Sequence, residues 1–464
     1  EVQMAPGKTG GDGLPPHVLI FPLPLQGPVN AMLKLSELLC LAGIHVTFLL
    51  SNFSYALLRR HSDIESRFSR YSGFRIAGID DGLPEDRPRV GVGSIDLLSS
   101  ILRVGETELR KVLEATDSLR DGSARRRVSF IIIDGILNFV LPVAEELGIP
   151  VVHFRTISAC SFWASFCSKE VIAAGELPLR GEEEGKYEYW RNPNLDLPVT
   201  SIPGMEAILR RRDLPSFFRV TDPNDSELQM LATDTRKAAL SAGLILNTFE
   251  DLEGPIIDEI RKRIPNVYSI GPLHTHLKSH LDPRSSSVAS SSSFLREDRT
   301  SIDWLNSQPP KSVIYVSFGS LTQLTEEEHL EFLNGLVNSG HRFLWVVRPD
   351  SIAGSDKVAI PEELEQGTRE RGYVVEWAPQ MEVLAHPSVG AFFTHGGWNS
   401  TLESICAGVP MICWPYFIDQ PTNSRFVSHE WKVGLDVNSC DRVVVEEMVR
   451  EVMEDRRRDE LSER

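Results

Sequence analysis

The chain has 464 residues, too many for one ordinary hydrophobic core, so its length predicts two domains or at most three. A hydrophobic fraction of 41% and a charged fraction of 24% are typical of a soluble globular protein. The net charge of −17 argues against nucleic acid as a partner, because an acidic surface repels phosphate backbones. The six cysteines are scattered without disulfide-framework or metal-ligand spacing, which predicts thiols in a reducing, cytoplasmic compartment.

The first part of the chain alternates short apolar runs with helical patterns. "HVLIFPL" from His17 predicts a buried strand, "NAMLKLSELLCLAG" a helix with a closing glycine, and "HVTFLL" a second strand. The order recurs in "FIIID", "LPVAEELG" and "IPVVHF", which predicts a parallel sheet covered by helices. The most apolar region, 128–152, contains Asp134, Asn138, Glu145 and Glu146, so it predicts strand, loop and helix with no membrane span.

A serine-rich stretch separates two parts of the chain. Residues 271–300 contain "PRSSSVASSSS" and have little to bury, so we expect a flexible linker there. The linker divides the chain into an N-terminal domain, 1–270, and a C-terminal domain, 301–464, where strand and helix patterns alternate again. We expect an α/β protein whose two domains face each other across a cleft, with ligands at the C-terminal ends of the strands. The last segment, "EEMVREVMEDRRRDELSER", predicts a helix without a C-cap signal, as if the final helices were truncated.

The segment from Trp377 to Gln420 carries the clearest chemistry. "GAFFTH" predicts a strand, two glycines a tight turn, and "NSTLESICAG" a helix capped by Asn399 or Ser400. The unpaired amides and the positive dipole end of such a helix attract an anion, and glycines let a phosphate approach. His395, at the end of the strand, can donate a hydrogen bond to that phosphate.

Other polar residues of this segment suit a nucleotide sugar. Glu403, predicted in the first turn of the helix, can accept hydrogen bonds from two adjacent ribose hydroxyls. Trp377 and Gln380 are predicted to end one strand, and an indole face can stack on a planar base. Asp419 and Gln420, predicted to end another strand, can bind the hydroxyls of a sugar. Together these residue types predict a site for base, ribose, diphosphate and sugar.

This segment resembles the signature box of plant family 1 UDP-glycosyltransferases. It has the box's 44 residues, from W-A-P-Q to D-Q, with H-x-G-W-N-S and E-S between them. "SIDWLNSQPPKSVIYVSFGS", "IPGM" and "YSIGPL" resemble other stretches of the family, so the likeness covers nearly the whole chain. The resemblance implies the GT-B fold, with two Rossmann-like domains. It also implies transfer of a sugar from a UDP-sugar to a small acceptor by a monomer that needs no metal or other cofactor.

The resemblance also implies which residues bind the donor. Its implied contacts are Trp377 for uracil, Gln380 and Glu403 for ribose, Ser320, His395, Asn399 and Ser400 for diphosphate, Trp398, Asp419 and Gln420 for sugar, and Ala378 as a further donor contact. A final Gln420 is the form associated with UDP-glucose as donor. The regions that line the family's acceptor pocket contain Phe139, Trp163, Phe166, Trp190 and Met205, although each of these fits a plain core position equally well.

The family's usual catalytic base is missing. The family has a Q-G-H turn after the first strand, whose histidine takes the acceptor's proton with the help of an aspartate. This sequence has Asp134 for the aspartate but Pro28 at the histidine position. Proline is well suited to the first turn of a helix, yet it cannot accept a proton. His153 lies near a strand end, but a satisfied core histidine is the simpler interpretation.

Three explanations remain open for Pro28. The acceptor can be a phenol, carboxylic acid or hemiacetal that needs little base, or Asp134 can act as the base directly or through water. Alternatively, the protein binds UDP-sugar with little or no turnover. The intact donor box favours an active enzyme. We therefore predict inverting transfer of a sugar, with glucose favoured, from a UDP-sugar to a hydroxyl or carboxyl of a terpenoid, iridoid or phenolic plant metabolite. An NAD-dependent dehydrogenase is disfavoured because G-x-G-x-x-G is absent after the first strand.

Overall fold

Two parallel sheets organise the chain. The computed structural model describes residues 15–89, 93–117, 120–121, 124–125, 127–177, 192–281, 292–354, 361–437 and 439–464. One sheet has seven strands in the order β3-β2-β1-β6-β7-β8-β9, and the other has six in the order β12-β11-β10-β13-β14-β15. Strand, helix and strand alternate in both halves, as the apolar runs of the sequence predict. The expected α/β class with two Rossmann-like units is confirmed.

The first sheet forms from apolar runs whose two faces are both covered. All five residues of β1 and of β7 are buried, which is the pattern of a central parallel strand. Its strands are β1 His17–Phe21, β2 His45–Ser51, β3 Phe74–Ile79, β6 Phe130–Asp134, β7 Val151–Arg155, β8 Gly243–Leu246 and β9 Val267–Ser269. A separate two-stranded ladder pairs β4 Arg120–Asp121 with β5 Ala124–Arg125.

Helices cover both faces of this first sheet. They are Gln26–Leu41, Asn52–His61, Ile64–Phe68, Gly93–Asp117, Val140–Leu147, Ala159–Phe166, Ser168–Ala173, Ser226–Arg236, Glu250–Arg261 and Leu273–His280. Short 3-10 turns lie at Pro193–Asp196, Arg211–Asp213, Ser216–Phe218 and Lys237–Leu240. The helix after β1 begins without a side-chain cap, and its first intrahelical bond runs from the Val29 amide to the Leu25 carbonyl at 3.0 Å.

The second sheet is smaller and equally apolar. Its strands are β10 Val313–Ser317, β11 Arg342–Val346, β12 Gly372–Val375, β13 Val389–Thr394, β14 Met411–Cys413 and β15 Gly434–Asp436. The helices of this half are Thr300–Asn306, Glu326–Asn338, Glu362–Arg371, Gln380–Leu384, Trp398–Ala407, Gln420–Arg425, Arg442–Met453 and Asp455–Ser462, and a π-helical turn lies at Phe426–Glu430. β10 and β13 are neighbours at the centre of the sheet, so the loops that follow them meet at one edge.

The expected flexible linker at 271–300 is partly folded. The helix Leu273–His280 buries Leu273 and Leu277, and Leu273 belongs to the core cluster that contains apolar residues of the helix after β1. Farther along, the Phe294 amide donates to the Gln26 side chain at 2.7 Å, and Phe294 is buried. Apolar residues at both ends of the stretch find partners on the first sheet's helices, while the serine run at 282–291 lies outside the described residues.

The two halves make polar contacts with each other. The Trp398 indole donates to the Asn247 carbonyl at 2.9 Å, and the Asn399 side chain donates to the Gly27 carbonyl at 2.9 Å. These bonds join the helix after β13 to the loop that follows β8 and to the first turn of the helix after β1, so the C-terminal ends of the two sheets face one another. Within the described residues, no helix is both long and apolar enough to cross a membrane.

Candidate active site

A cavity of about 1400 Å³ lies between the two sheets. Loops from both halves line it, as expected for open parallel sheets that face each other. All eleven predicted donor residues are in its wall: Ser320, Trp377, Ala378, Gln380, His395, Trp398, Asn399, Ser400, Glu403, Asp419 and Gln420. Pro28 and Asp134 line the same cavity from the first half. The structure therefore brings together residues that the sequence places nearly 400 positions apart.

His395 is fixed between two glycines. It follows β13, and a Cβ atom on Gly319 or Gly397 would lie 2.5 or 2.6 Å from its Nε2. Glycine is required at these two positions because the imidazole packs directly on the backbone. Burial, followed by the charge of Arg348, lowers the pKa of His395 to about 4. The ring is therefore neutral at pH 7, with one N–H to donate.

The helix Trp398–Ala407 begins one residue earlier than predicted. Its N-cap is Gly397, which has no side chain to cap the first turn, so the expectation of Asn399 or Ser400 as cap is corrected. The tight turn made by Gly396, with φ of +76°, directs the chain into the helix. The first turn consequently presents backbone amides to the cavity without a competing side-chain cap, as an anion site requires.

Gln380 and Glu403 form a polar pair on the same wall. The Gln380 amide donates to Glu403 Oε2 at 2.8 Å and to the Ser400 hydroxyl at 3.0 Å. Glu403 lies in the second turn of its helix, and Gln380 begins the helix Gln380–Leu384, so neither position is the predicted one. Burial raises the pKa of Glu403, while Lys34 and Gln380 oppose that shift.

Asp419 and Gln420 lie beyond the strand that was predicted to carry them. β14 ends at Cys413, and the loop that follows brings Asp419 to the start of the helix Gln420–Arg425. The Gln420 Oε1 atom accepts from the amides of Tyr416 and Phe417 at 2.8 and 3.0 Å, which fixes that loop. Asp419 accepts from Asn423 at 2.7 Å, and burial raises its pKa to about 6.

Pro28 and Asp134 occupy the places expected of the proton-transfer pair. Pro28 is the third residue of its helix, ahead of the first intrahelical donor, so its missing amide costs no helical hydrogen bond. Asp134 ends β6 and accepts from the Thr156 hydroxyl at 3.1 Å. Burial raises the pKa of Asp134 to about 6, although Arg155, Thr156 and backbone amides pull it down.

The predicted acceptor residues are not in the cavity wall. Trp163, Phe166 and Met205 belong to the core cluster behind the first sheet, and the Trp163 indole donates to the Pro203 carbonyl at 2.8 Å. Phe139 packs edge-on against Phe21 in another core cluster. The structure corrects the expectation for these four residues, because the helix Ala159–Phe166 buries Trp163 and Phe166 in the core, while Met205 and Phe139 pack into core clusters from a loop and a turn. Trp190 lies outside the described residues.

His153 is a core residue, as the simpler interpretation predicted. It is fully buried on β7, and its Nε2 lies 3.0 Å from the Asn138 side-chain oxygen. Burial lowers its pKa to about 3. It is not among the residues that line the cavity.

Sequence reasoning missed the cationic side chains in the cavity wall, which among the described residues are Lys34, Arg67, Arg155, Arg219 and Lys278. Lys34, Arg67 and Arg155 are buried. The signal for Arg155 was present: an arginine ends the otherwise apolar run "VVHFR", where a central parallel strand normally carries no charge. Among the described residues, no group of three or more His, Cys, Asp or Glu side chains is placed to hold a metal ion, and the absence of a cofactor stays a prediction.

The fold and the cavity define a glycosyltransferase of the GT-B type. The family model described as "UDP-glucoronosyl and UDP-glucosyl transferase" matches residues 296–461. A 7-deoxyloganetic acid glucosyl transferase from Catharanthus roseus is 54% identical, over 97% of this chain and 92% of its own length. UDP-glycosyltransferase 85A2 from Arabidopsis thaliana is 39% identical, over 97% of this chain and 91% of its own. The chain therefore belongs to the plant family 1 UDP-glycosyltransferases.

A solved structure agrees with this assignment. Os79 from O. sativa, crystallised with UDP, is similar with a TM-score of 0.76 and 26% identity, over 96% of this chain and 93% of that chain. The protein is thus an enzyme that takes a UDP-sugar and a small-molecule acceptor.

Proposed function

We propose that the enzyme transfers glucose from UDP-glucose, with inversion, to a small terpenoid-like acid. The observation that carries the proposal is that one cavity contains all eleven predicted donor-binding residues and also Pro28, at the position where the family has its catalytic histidine. A proline at residue 28 supplies the backbone of the first helical turn and no proton acceptor. An acceptor that is already acidic loses its proton without strong help, so this constellation favours acidic acceptors.

The donor half of the site supports binding of the nucleotide sugar without a metal. A neutral His395 and the uncapped amides of the helix Trp398–Ala407 offer donors to a diphosphate. We assign ribose to Glu403 and Gln380, uracil to Trp377 and the sugar to Asp419 and Gln420. The positive end of the helix also stabilises the negative charge that develops on UDP as it leaves.

The reaction is a single displacement. An acceptor oxygen attacks the anomeric carbon from the side opposite UDP, and the bond from that carbon to the phosphate oxygen breaks with its electrons going to UDP. A carboxylate needs to lose no proton in this step. A hydroxyl must lose one, and Asp134, ionised above about pH 6, accepts it directly or through water. The product is a β-glucoside or a β-glucose ester.

The relatives support the class of acceptor. The similar protein from Catharanthus roseus is named for an acid, 7-deoxyloganetic acid, and a second glucosyltransferase of that name from the same plant is also 54% identical. Glucosyltransferases named for 7-deoxyloganetin are more distant, at 37 and 38% identity. The gap in identity favours an acid over a neutral acceptor for this chain.

An acceptor panel with the Pro28→His variant tests the proposal. We expect the wild type to glucosylate carboxylic acids and acidic hydroxyls at least 100-fold more efficiently, by kcat/KM, than aliphatic alcohols of similar shape. Pro28→His should raise kcat/KM for alcohols by about 10²-fold, which is near the lower end of what general-base catalysis contributes. The kcat/KM for acids should change little. Product analysis by mass spectrometry and NMR establishes the linkage.

Pro309→His is the matched control, since Pro309 is exposed and remote from the cavity wall. It should leave the preference for acids unchanged. Efficient turnover of alcohols by the wild type, or an equal gain for acids and alcohols in Pro28→His, would contradict the proposal.

A further inference from the structure

Arg155 is a buried, positively charged side chain in the wall of the cavity. It ends β7, next to β6, whose last residue is Asp134, so both side chains emerge at the C-terminal edge of the first sheet. Only 7% of Arg155 is exposed, and it lines the cavity. An arginine is seldom buried to this extent without a dedicated partner, because removing its charge from water is costly.

The guanidinium group is held in place from two sides. The Phe162 ring lies behind it, with Cζ 5.4 Å from the ring centroid. Gly135 lies on another side, and any Cβ at that position would overlap the guanidinium group. The missing side chain at residue 135 therefore creates the space that the arginine head occupies. The position of this cation is set by the surrounding structure rather than by solvent.

The guanidinium group is not saturated by the protein. In the described part of the chain, no acceptor reaches Nη1, although this atom is fully buried. Asp134 and Asp419 both interact with Arg155 through their charges, one from each half of the enzyme. Arg155 therefore has a charged partner in each half of the enzyme and a donor, Nη1, that no acceptor of the described residues uses.

Lys34, another cation of the cavity wall, is placed for a different task. Its ammonium group donates to the Asn30 side chain at 2.9 Å, and its charge acts on Glu403 on the donor wall. Arg155 instead adjoins Asp134, beside which the acceptor must lie if Asp134 is to take its proton. Its position beside Asp134 and its unused donor Nη1 identify Arg155 as a cation on the acceptor side of the cavity.

We propose that Arg155 binds the carboxylate of the acidic acceptor and so selects acids over their neutral esters. The inference rests on the proposed function, in that it names the residue which recognises the acid. Arginine presents a planar fork of donors that matches a carboxylate, and it stays charged at any physiological pH. Within a buried site such a charge-assisted contact discriminates strongly, because a neutral ester offers Nη1 no charged acceptor.

Binding to the enzyme–UDP complex provides the test. Calorimetry would compare 7-deoxyloganetic acid with its methyl ester, for the wild type and for Arg155→Gln. We expect the wild type to bind the acid at least tenfold more tightly than the ester, and the acid-to-ester affinity ratio to fall by about 10- to 100-fold in Arg155→Gln. Arg155→Lys keeps the charge but loses the fork, so its ratio should be intermediate.

Two further variants separate recognition from general damage. Gly135→Ala keeps the arginine but displaces its head, so the acid-to-ester ratio should fall there too. Arg456→Gln removes an arginine whose side chain is 92% exposed and should leave the ratio at the wild-type value. UDP affinity, measured on each variant, reports whether the donor half remains intact.

The outcomes distinguish the two proposals. If the wild type prefers acids and Arg155→Gln keeps that preference, or loses acid and ester binding equally, Arg155 is not the recognition residue and the proposed function stands. If the wild type turns over neutral alcohols and phenols but shows no preference for acids, the proposed function fails as well. A fall in the ratio confined to Arg155→Gln, Arg155→Lys and Gly135→Ala supports both.

Discussion

Two buried carboxyls, Asp134 and Asp419, dominate the chemistry of the cavity. Burial raises the pKa of each to about 6, so both change protonation just below neutral pH. Desolvation is the largest cause for each, and the charge of Arg155 opposes it in both. A carboxyl with such a pKa is ionised at pH 7 and still able to accept a proton, which suits a group that must work without a histidine.

The pH dependence of transfer should reveal Asp134. For hydroxyl acceptors we expect kcat/KM to fall as the pH drops below about 6, because a protonated Asp134 cannot accept the acceptor's proton. Asp134→Asn should lower kcat/KM for hydroxyl acceptors by about 10²-fold or more and abolish this acid limb. Rate profiles between pH 4.5 and 8.5 provide the measurement.

Asp419→Asn serves as the comparison, because its carboxyl titrates in the same range. An acid limb that survives in Asp134→Asn and disappears in Asp419→Asn would refute the assignment.

The pH dependence of stability offers a second check on Asp134. The folded-state pKa of Asp134 lies above its unfolded value of 3.8, so the stability it contributes is present below about pH 4 and is lost as the pH rises through 6. Asp134→Asn should therefore gain more thermal stability at pH 7.5 than at pH 4.5.

Helix packing in the second half depends on one glycine. The helix Glu326–Asn338 packs against the helix Arg442–Met453, and Gly335 lies at their closest approach. A Cβ there would lie 2.5 Å from the Val445 Cβ and 2.9 Å from the Arg442 carbonyl oxygen. The contact involves backbone and a branched side chain, neither of which moves easily.

Gly335→Ala should consequently destabilise the enzyme. We expect a loss of about 1–3 kcal/mol in the free energy of unfolding, the usual cost of overpacking. Gly254→Ala is the matched control, because a Cβ at Gly254 in the helix Glu250–Arg261 meets only Glu250, at 3.8 Å. That variant should be neutral or more stable by about 0.4–1 kcal/mol. Urea unfolding followed by circular dichroism measures both, and equal effects would disprove the packing argument.

Directed bonds join the two halves of the molecule at several places, for example from Thr422 to the Asp213 carbonyl and from Arg425 to the Ile208 carbonyl. The Trp398 indole to the Asn247 carbonyl is one of them, and it is buried. Removing the donor leaves a buried carbonyl unpaired, which costs about 1–3 kcal/mol. The residues proposed to bind UDP belong to the second half, and the loop that carries Asn247 belongs to the first. This bond should therefore couple the binding of UDP to the arrangement of the two halves.

Trp398→Phe tests that coupling. In the wild type, UDP at 100 times its Kd should add about 2.7 kcal/mol to stability and raise the unfolding temperature. In Trp398→Phe we expect a lower unfolding temperature without ligand and a smaller rise with UDP, measured by differential scanning calorimetry. Trp304→Phe is the control, because Trp304 stacks on Tyr373 within the second half. An unchanged response to UDP in Trp398→Phe would show that the bond does not couple the halves.

Much of the fold follows from local pattern. Apolar runs such as "HVLIF" and "VIYVS" have no solvent-facing alternation, so they predict central parallel strands, and the strands form there. The predicted donor residues between Trp377 and Gln420 likewise line one cavity, because strand ends and helix starts of neighbouring units meet at one edge of a sheet. The predicted boundaries of elements were wrong at the N-cap of the helix Trp398–Ala407 and at the ends of β12 and β14.

The sequence by itself determined the family, the two parallel sheets and the proline at residue 28, and it predicted the donor residues, since each of these is written in contiguous residues. Tertiary structure decided which side chains face the acceptor. The aromatic residues Trp163 and Phe166 turn into the core, where burying their large surface is most favourable. Arg155 instead meets Asp134 and Asp419 in the cavity. Charges interact through space rather than along the chain, so only the assembled fold could show that this arginine interacts with both carboxyls.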